Sequence, residues 1–202
     1  MKADWNRSVT LENRLNLDVN RSMYQGRPII HRDSPVDGGV SLGGYSREAI
    51  VVDSKKYSML GKLYGIAKER ISRGSSVIKA VYDTVKETMP IQNEEAVNEL
   101  IRKYQIAGDQ KVPLDLFLKE GVGVCRHDAL TCAALLEMFK TEGYVRGKIS
   151  VDRNTTKDGG HEWCRYTAFN GEVYILDVAQ RYIGSLRNSE RAGRWPYKRP
   201  SD

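Results

Sequence analysis

Three residues in the second half of the chain have the types and the order that thiol chemistry needs. Cys125 stands in a glycine-rich entry to an apolar run, GVGVCRHDALTCAALLEMFK; His161 opens GHEWCRY; Asp177 closes VYILDV. They lie 36 and 16 residues apart. A cysteine attacks as its thiolate, and a free thiol, with a pKa of about 8.5, is mostly protonated at neutral pH. The positive end of a helix and a neighbouring imidazolium both favour the thiolate. Cys125 in the first turn of a helix would have the first, and His161 would supply the second before passing its proton to a leaving group. Asp177 would accept from the other ring nitrogen and fix tautomer and orientation. The backbone N–H of Cys125 would be one oxyanion donor, and glycines 121 and 123 would allow the sharp turn that leaves the sulfur uncovered.

Other residues of the same types compete for these roles. Most cysteines are buried structural thiols, and that is the expectation for Cys132, further along the helix, and for Cys164, in mid-strand. His127 is a rival base, but positions i and i+2 of a helix do not face each other; it is expected at the surface or behind the site. His31 lies in unpatterned sequence and receives no role. Cys125, His127, Cys132, His161 and Cys164 could be grouped as zinc ligands. Their C-x-H and H-x-x-C spacings are poor for zinc, and strand positions 161 and 164 face opposite ways. No metal and no cofactor is expected.

The elements that must position these residues follow from periodicity. Tyr57, Leu60, Tyr64, Ala67 and Ile71 make one apolar helix face, with Gly74 as a stop. Ser75 and Ser76 can cap a second helix carrying Val77, Val81, Val85 and Met89, ended by Pro90. A third starts after Asn93 and presents Val97, Leu100, Ile101 and Tyr104. The stretch 112–118 reads as a bend or short helix leading to Gly121. From Ala129 to Phe139 only Thr131 and Glu137 are clearly polar, the mark of a buried helix. Val145, Gly147, Ile149 and Val151 then alternate with Arg146, Lys148, Ser150 and Asp152, a half-buried strand with its polar face outward. A polar loop is expected at 153–160, and strands at 161–168 and 172–178. One buried helix against an antiparallel sheet, with flanking helices before it, gives an α+β class.

Asn170–Gly171 joins the last two strands, and the loop length decides whether the site can exist. A two-residue hairpin would put Asp177 opposite Cys164, facing away from His161. A three-residue loop with Gly171 left-handed would put Asp177 opposite Trp163 and diagonal to His161, on one face. The chemistry requires the second, with Ala168 and Glu172 flanking the turn, or an equivalent bulge nearby.

The segments GVGVCRHDAL, GHEW and VYILDV, in that order, resemble the transglutaminase-like superfamily of cysteine enzymes over residues 112–180. The resemblance implies a papain-like core, a helix bearing the cysteine packed on a sheet bearing the histidine and the acid. It implies an amide hydrolase of peptidase, amidase or deamidase type, or an acyl transferase with an amine acceptor, acting on a protein or peptide amide. Some members are inactive and serve as interaction modules. Val124 stands where the crosslinking transglutaminases carry Gln, and Val178–Ala179 follow the acid where many members have Pro. Hydrolysis is therefore favoured over calcium-dependent crosslinking. Gln92, Gln105 and Gln110 are candidates for the upstream side-chain oxyanion donor that the family usually supplies.

Bulk properties set the remaining bounds. At 202 residues, 40% apolar and 29% charged, the chain suits one soluble domain with a real core rather than two. Residues 1–52 read as a loop-rich arm with one short helix near 11–19. Residues 53–185 read as the catalytic domain, with a helical flank at 53–110 and a core at 111–185. Residues 186–202 read as a basic tail. There is no run of about eighteen apolar residues to span a membrane, and no apolar h-region near the N-terminus. Three unpatterned cysteines speak for a reducing, cytoplasmic compartment, with signal-independent secretion left open. From Arg181 onward six Lys/Arg stand against two acids, a net +4. Without regular aromatic interleaving this is expected to be a solvated tail rather than a nucleic-acid surface.

Overall fold

The computed structural model describes residues 3–5, 23–43, 47–107, 110–157 and 159–202; the short helix expected near 11–19 lies outside them. The elements run β1 (Met23–Tyr24), β2 (Arg27–Pro28), β3 (Val40–Leu42), β4 (Ala49–Val51), α1 (Ser58–Ser72), α2 (Val77–Thr88), β5 (Ile91–Gln92), α3 (Glu94–Lys103), β6 (Lys111–Pro113) and α4 (Leu114–Glu120). They continue with β7 (Val122–Gly123), α5 (Cys125–Thr141), β8 (Gly147–Thr156), β9 (Gly159–Ala168), β10 (Val173–Asp177), β11 (Tyr182–Ser185) and α6 (Leu186–Arg191). The class is α+β. An antiparallel sheet in the order β11-β10-β9-β8 carries α5 on one face, and α1 and α2 pack on α5 in turn. Among the described residues no helix is long and apolar enough to cross a membrane.

Local chemistry sets the flanking helices where the periodicity places them. The Ser76 side chain accepts from the Lys79 N–H, and Asn93 accepts from Ala96, so both helix starts have the side-chain acceptor that orphan N–H groups need. Gly121, at φ +67°, closes α4 in the left-handed region and frees the chain to turn into β7. In α5 twelve of seventeen residues are buried, which is why it reads as apolar nearly all round. Its core partners on the sheet are Ile149, Cys164, Tyr166 and Leu176.

Three stretches depart from expectation. Residues 23–52, expected as a loop-rich arm, contain β1 to β4, and β4 pairs in parallel with β6. Val36, Ile50 and Val52 share one apolar cluster with α1, α2 and α5. Strands of two or three residues are too short for alternation to be read. The polar loop expected at 153–160 is mostly ladder: Arg153 pairs with Glu162, Asn154 with His161, Thr155 with Gly160 and Thr156 with Gly159.

The third departure is the tail. Ser150 and Asp152, expected on a solvent-facing strand surface, are buried. Of the basic residues expected in a solvated tail, Arg199 lies over that surface, while Arg181, Arg187, Arg191, Arg194 and Lys198 are exposed. The Arg199 guanidinium donates to Asp152, Ser150 and Asp33, and Asp202 accepts from Arg165. Tyr197 fills a second apolar cluster with Trp163, Ile175 and Tyr182, on the sheet face away from α5.

Candidate functional site

The β9–β10 turn decides where Asp177 points. The Ala168 N–H donates to Glu172 O at 2.8 Å, the Gly171 N–H donates to Ala168 O at 2.9 Å, and Gly171 sits at φ +84°. Thr167 pairs with Val173, Tyr166 with Tyr174 and Cys164 with Leu176. This is the register of the three-residue loop flanked by Ala168 and Glu172. Continued by one step, it sets Asp177 across from Trp163 and on the face of His161. The His161 Nε2 lies 2.5 Å from Asp177 Oδ2, both side chains buried.

Cys125 stands at the start of the helix. It is the first residue of α5, half-buried, while Cys132 and Cys164 are fully buried. As N1 of a helix its N–H has no intrahelical acceptor. Asp177 takes Nε2 of the His161 ring, and Cys125 is near enough to act on its charge. Burial of His161 pulls its pKa down, but the hydrogen bonds and charges of Asp177 and Cys125 outweigh it and hold the ring up at about 10. His161 is therefore an imidazolium at neutral pH. The Cys132 and Cys164 thiols are both pushed well up by burial.

Asp177 has more partners than the sequence suggested. Its Oδ1 accepts the Gln180 N–H at 3.0 Å, which ties the carboxylate into the turn after β10. Its Oδ2 also accepts the Tyr197 hydroxyl at 2.8 Å. Trp195 lies edge-on to the His161 ring at 4.9 Å. Neither aromatic residue was among the sequence candidates. The available signal was WPY itself: two large rings in a charged tail need a surface on which to bury.

Around the helix start the remaining candidates sort differently. His127 is not at the surface but wholly buried, its ring 4.1 Å from that of Phe117. Its Nδ1 accepts the Val124 N–H at 3.1 Å, so the imidazole caps the helix that carries Cys125. Burial pulls its pKa down to about 4 despite the nearby Glu48 carboxylate, leaving it neutral. Glu48 is buried too, and despite that burial the hydrogen bond of His127 and the charge of Arg126 bring its pKa down to about 2. Asp128, one turn after Cys125, is pushed well up by burial, with the charge of Asp177 adding to it.

Of the three glutamines, Gln105 and Gln110 are exposed, and Gln110 closes a surface turn at Ala107. Only Gln92 lies beside the cysteine loop, on β5 paired with Gly123 of β7. Its amide donates to Met89 O at 2.9 Å and to Asp128 Oδ1 at 3.0 Å, so both N–H groups are engaged. Among the described residues no three His, Cys, Asp or Glu side chains converge as metal ligands.

No known protein family matches the chain, and neither curated proteins nor solved structures contain a match to it.

Proposed function

We propose that this protein is a thiol-dependent amide hydrolase on a papain- or transglutaminase-like core, with Cys125 as nucleophile, His161 as general base and acid, and Asp177 as the orienting acid. One observation carries this reading: the buried His161 ring is bound by the Asp177 carboxylate at 2.5 Å, with Cys125 among the groups that raise its pKa. The sulfur attacks the amide carbonyl carbon, and the oxyanion that forms meets the backbone N–H of Cys125. His161 gives its proton to the departing amine as the C–N bond breaks, leaving a thioester. Water then enters, loses a proton to His161 and attacks the thioester; the acid leaves and the thiol is restored. An amine in place of water would make the same site an acyl transferase.

His161 carries the proton in each of these steps, and Asp177 holds its ring in place. The test is covalent trapping with a thiol-reactive acyl probe. Labelling is expected at Cys125 and absent in Cys125→Ala. Labelling confined to Cys132 or Cys164 overturns the assignment and leaves a scaffold suited to binding.

A further inference from the structure

The segment that follows α6 is fixed at both ends of its run over the sheet. Trp195 Nε1 donates to Asn154 Oδ1, and Asn154 Nδ2 donates to Pro196 O, each at 2.7 Å. Asn154 is the ladder partner of His161. Downstream, Arg199 Nε donates to Asp152 Oδ2 at 2.7 Å and Arg165 binds Asp202. Between these anchors Tyr197 is 1% exposed, its ring centroid 5.1 Å from Trp163 and 5.8 Å from Tyr182. Packing alone would be served as well by phenylalanine. The hydroxyl donates to Asp177 Oδ2, the oxygen that also accepts from His161 Nε2.

We infer that Tyr197 is a positioning residue of the thiol site, holding and moderating the carboxylate that orients His161; this rests on the thiol-enzyme reading above. Two donors share one oxygen. The phenol O–H takes up part of the negative charge on Oδ2, so Asp177 grips the imidazolium less firmly than it would alone. A histidine that must pass its proton to a leaving amine works better when that proton is not held too hard. The Gln180 N–H on Oδ1 stops the carboxylate from rotating away. The other titratable groups facing these residues are Cys125, Asp128 and Cys132 of α5, Tyr82 of α2 and Tyr182 of β11, with Arg194 ahead of the segment.

The test is a nitrogen-15 NMR titration of the His161 imidazole in the full chain, in wild type and Tyr197→Phe. Phenylalanine keeps the ring contacts and removes only the donor. The deprotonation midpoint of His161 is expected to rise by about half a pH unit or more, since hydrogen bonds to charged groups are strong and part of that strength is felt by the histidine. An unchanged or lowered midpoint overturns the inference, because a packing role alone would not move it upward. If Tyr197→Phe does not fold, 3-fluorotyrosine placed at 197 keeps the shape and donates more strongly, and the midpoint should then fall; no fall overturns the inference equally. The parent reading fails separately, if His161→Asn leaves the pH dependence of Cys125 alkylation by iodoacetamide unchanged.

Discussion

Acidification from pH 7 to pH 4 should remove the stability that the buried, neutral His127 gives this fold, while Asp128 and Glu137, whose carboxyl pKa values burial pushes up, act in the opposite direction. In an unfolded chain this histidine titrates at about 6.5, and in the folded protein burial brings it to about 4. A depressed pKa means that the unfolded chain takes up the extra proton first. The stability it contributes is therefore fully present above 6.5, declines as pH falls, and is lost once pH has passed through about 4. The gap corresponds to roughly 3 kcal/mol, and the side chain is wholly buried, so solvent screening does not reduce it. Against a typical domain stability of about 5–15 kcal/mol this is a large fraction.

His161 acts in the opposite sense and in another window. Held up at about 10, its contribution is fully present below 6.5 and is lost as pH rises through 10. It is therefore constant where His127 acts. Glu48, lowered to about 2, contributes fully above 4.5 and is lost only as pH falls through 2. Urea unfolding followed by circular dichroism at pH 7, 6, 5 and 4 isolates the term by comparing wild type with His127→Gln. The glutamine carbonyl can still accept the Val124 N–H but takes up no proton. Wild type should lose about 3 kcal/mol more than the variant over this interval. Equal slopes would refute the reasoning.

Two further substitutions test the scaffold. Gly171→Ala meets no atom within 4 Å of its new Cβ, so only the left-handed backbone resists it; the expected loss is about 1 kcal/mol, and less for Gly171→Asn. No difference between the two in urea unfolding would contradict the bulged turn. Arg199→Ala leaves the buried Asp152 carboxylate without its cation and should destabilise by about 2–4 kcal/mol, with part recovered in Arg199→Ala/Asp152→Asn. A neutral result would mean that the C-terminal segment is not docked.

The residues that were legible in sequence are those whose neighbours lie close along the chain. Ser76 and Asn93 could be read as caps because the N–H groups they serve are three residues away. Gly171 could be read as the residue deciding register because strand parity turns one extra position into a change of face. Hidden features depended on partners far along the chain. Ser150 and Asp152 look solvent-facing until Arg199, 49 and 47 residues on, is laid over them. His127 was ruled out as a base by helix geometry, yet its burial depends on Phe117 and Glu48, neither of which the local pattern could place. Tyr197 is the sharpest case: the acid it holds is 20 residues upstream, and its own surroundings read as a charged tail.

The central claim is that His161 and Cys125 share a proton in a working thiol site. It is tested most directly by the rate of iodoacetamide alkylation of Cys125 against pH, read by peptide mass spectrometry in wild type and His161→Asn. At pH 6 a free thiol is almost wholly protonated, while an imidazolium beside the sulfur keeps a thiolate available. The wild-type protein should react at least about tenfold faster than His161→Asn at that pH, with the two rates converging above about pH 9. Identical profiles, or a Cys125 that reacts only as a free thiol does, would contradict the claim.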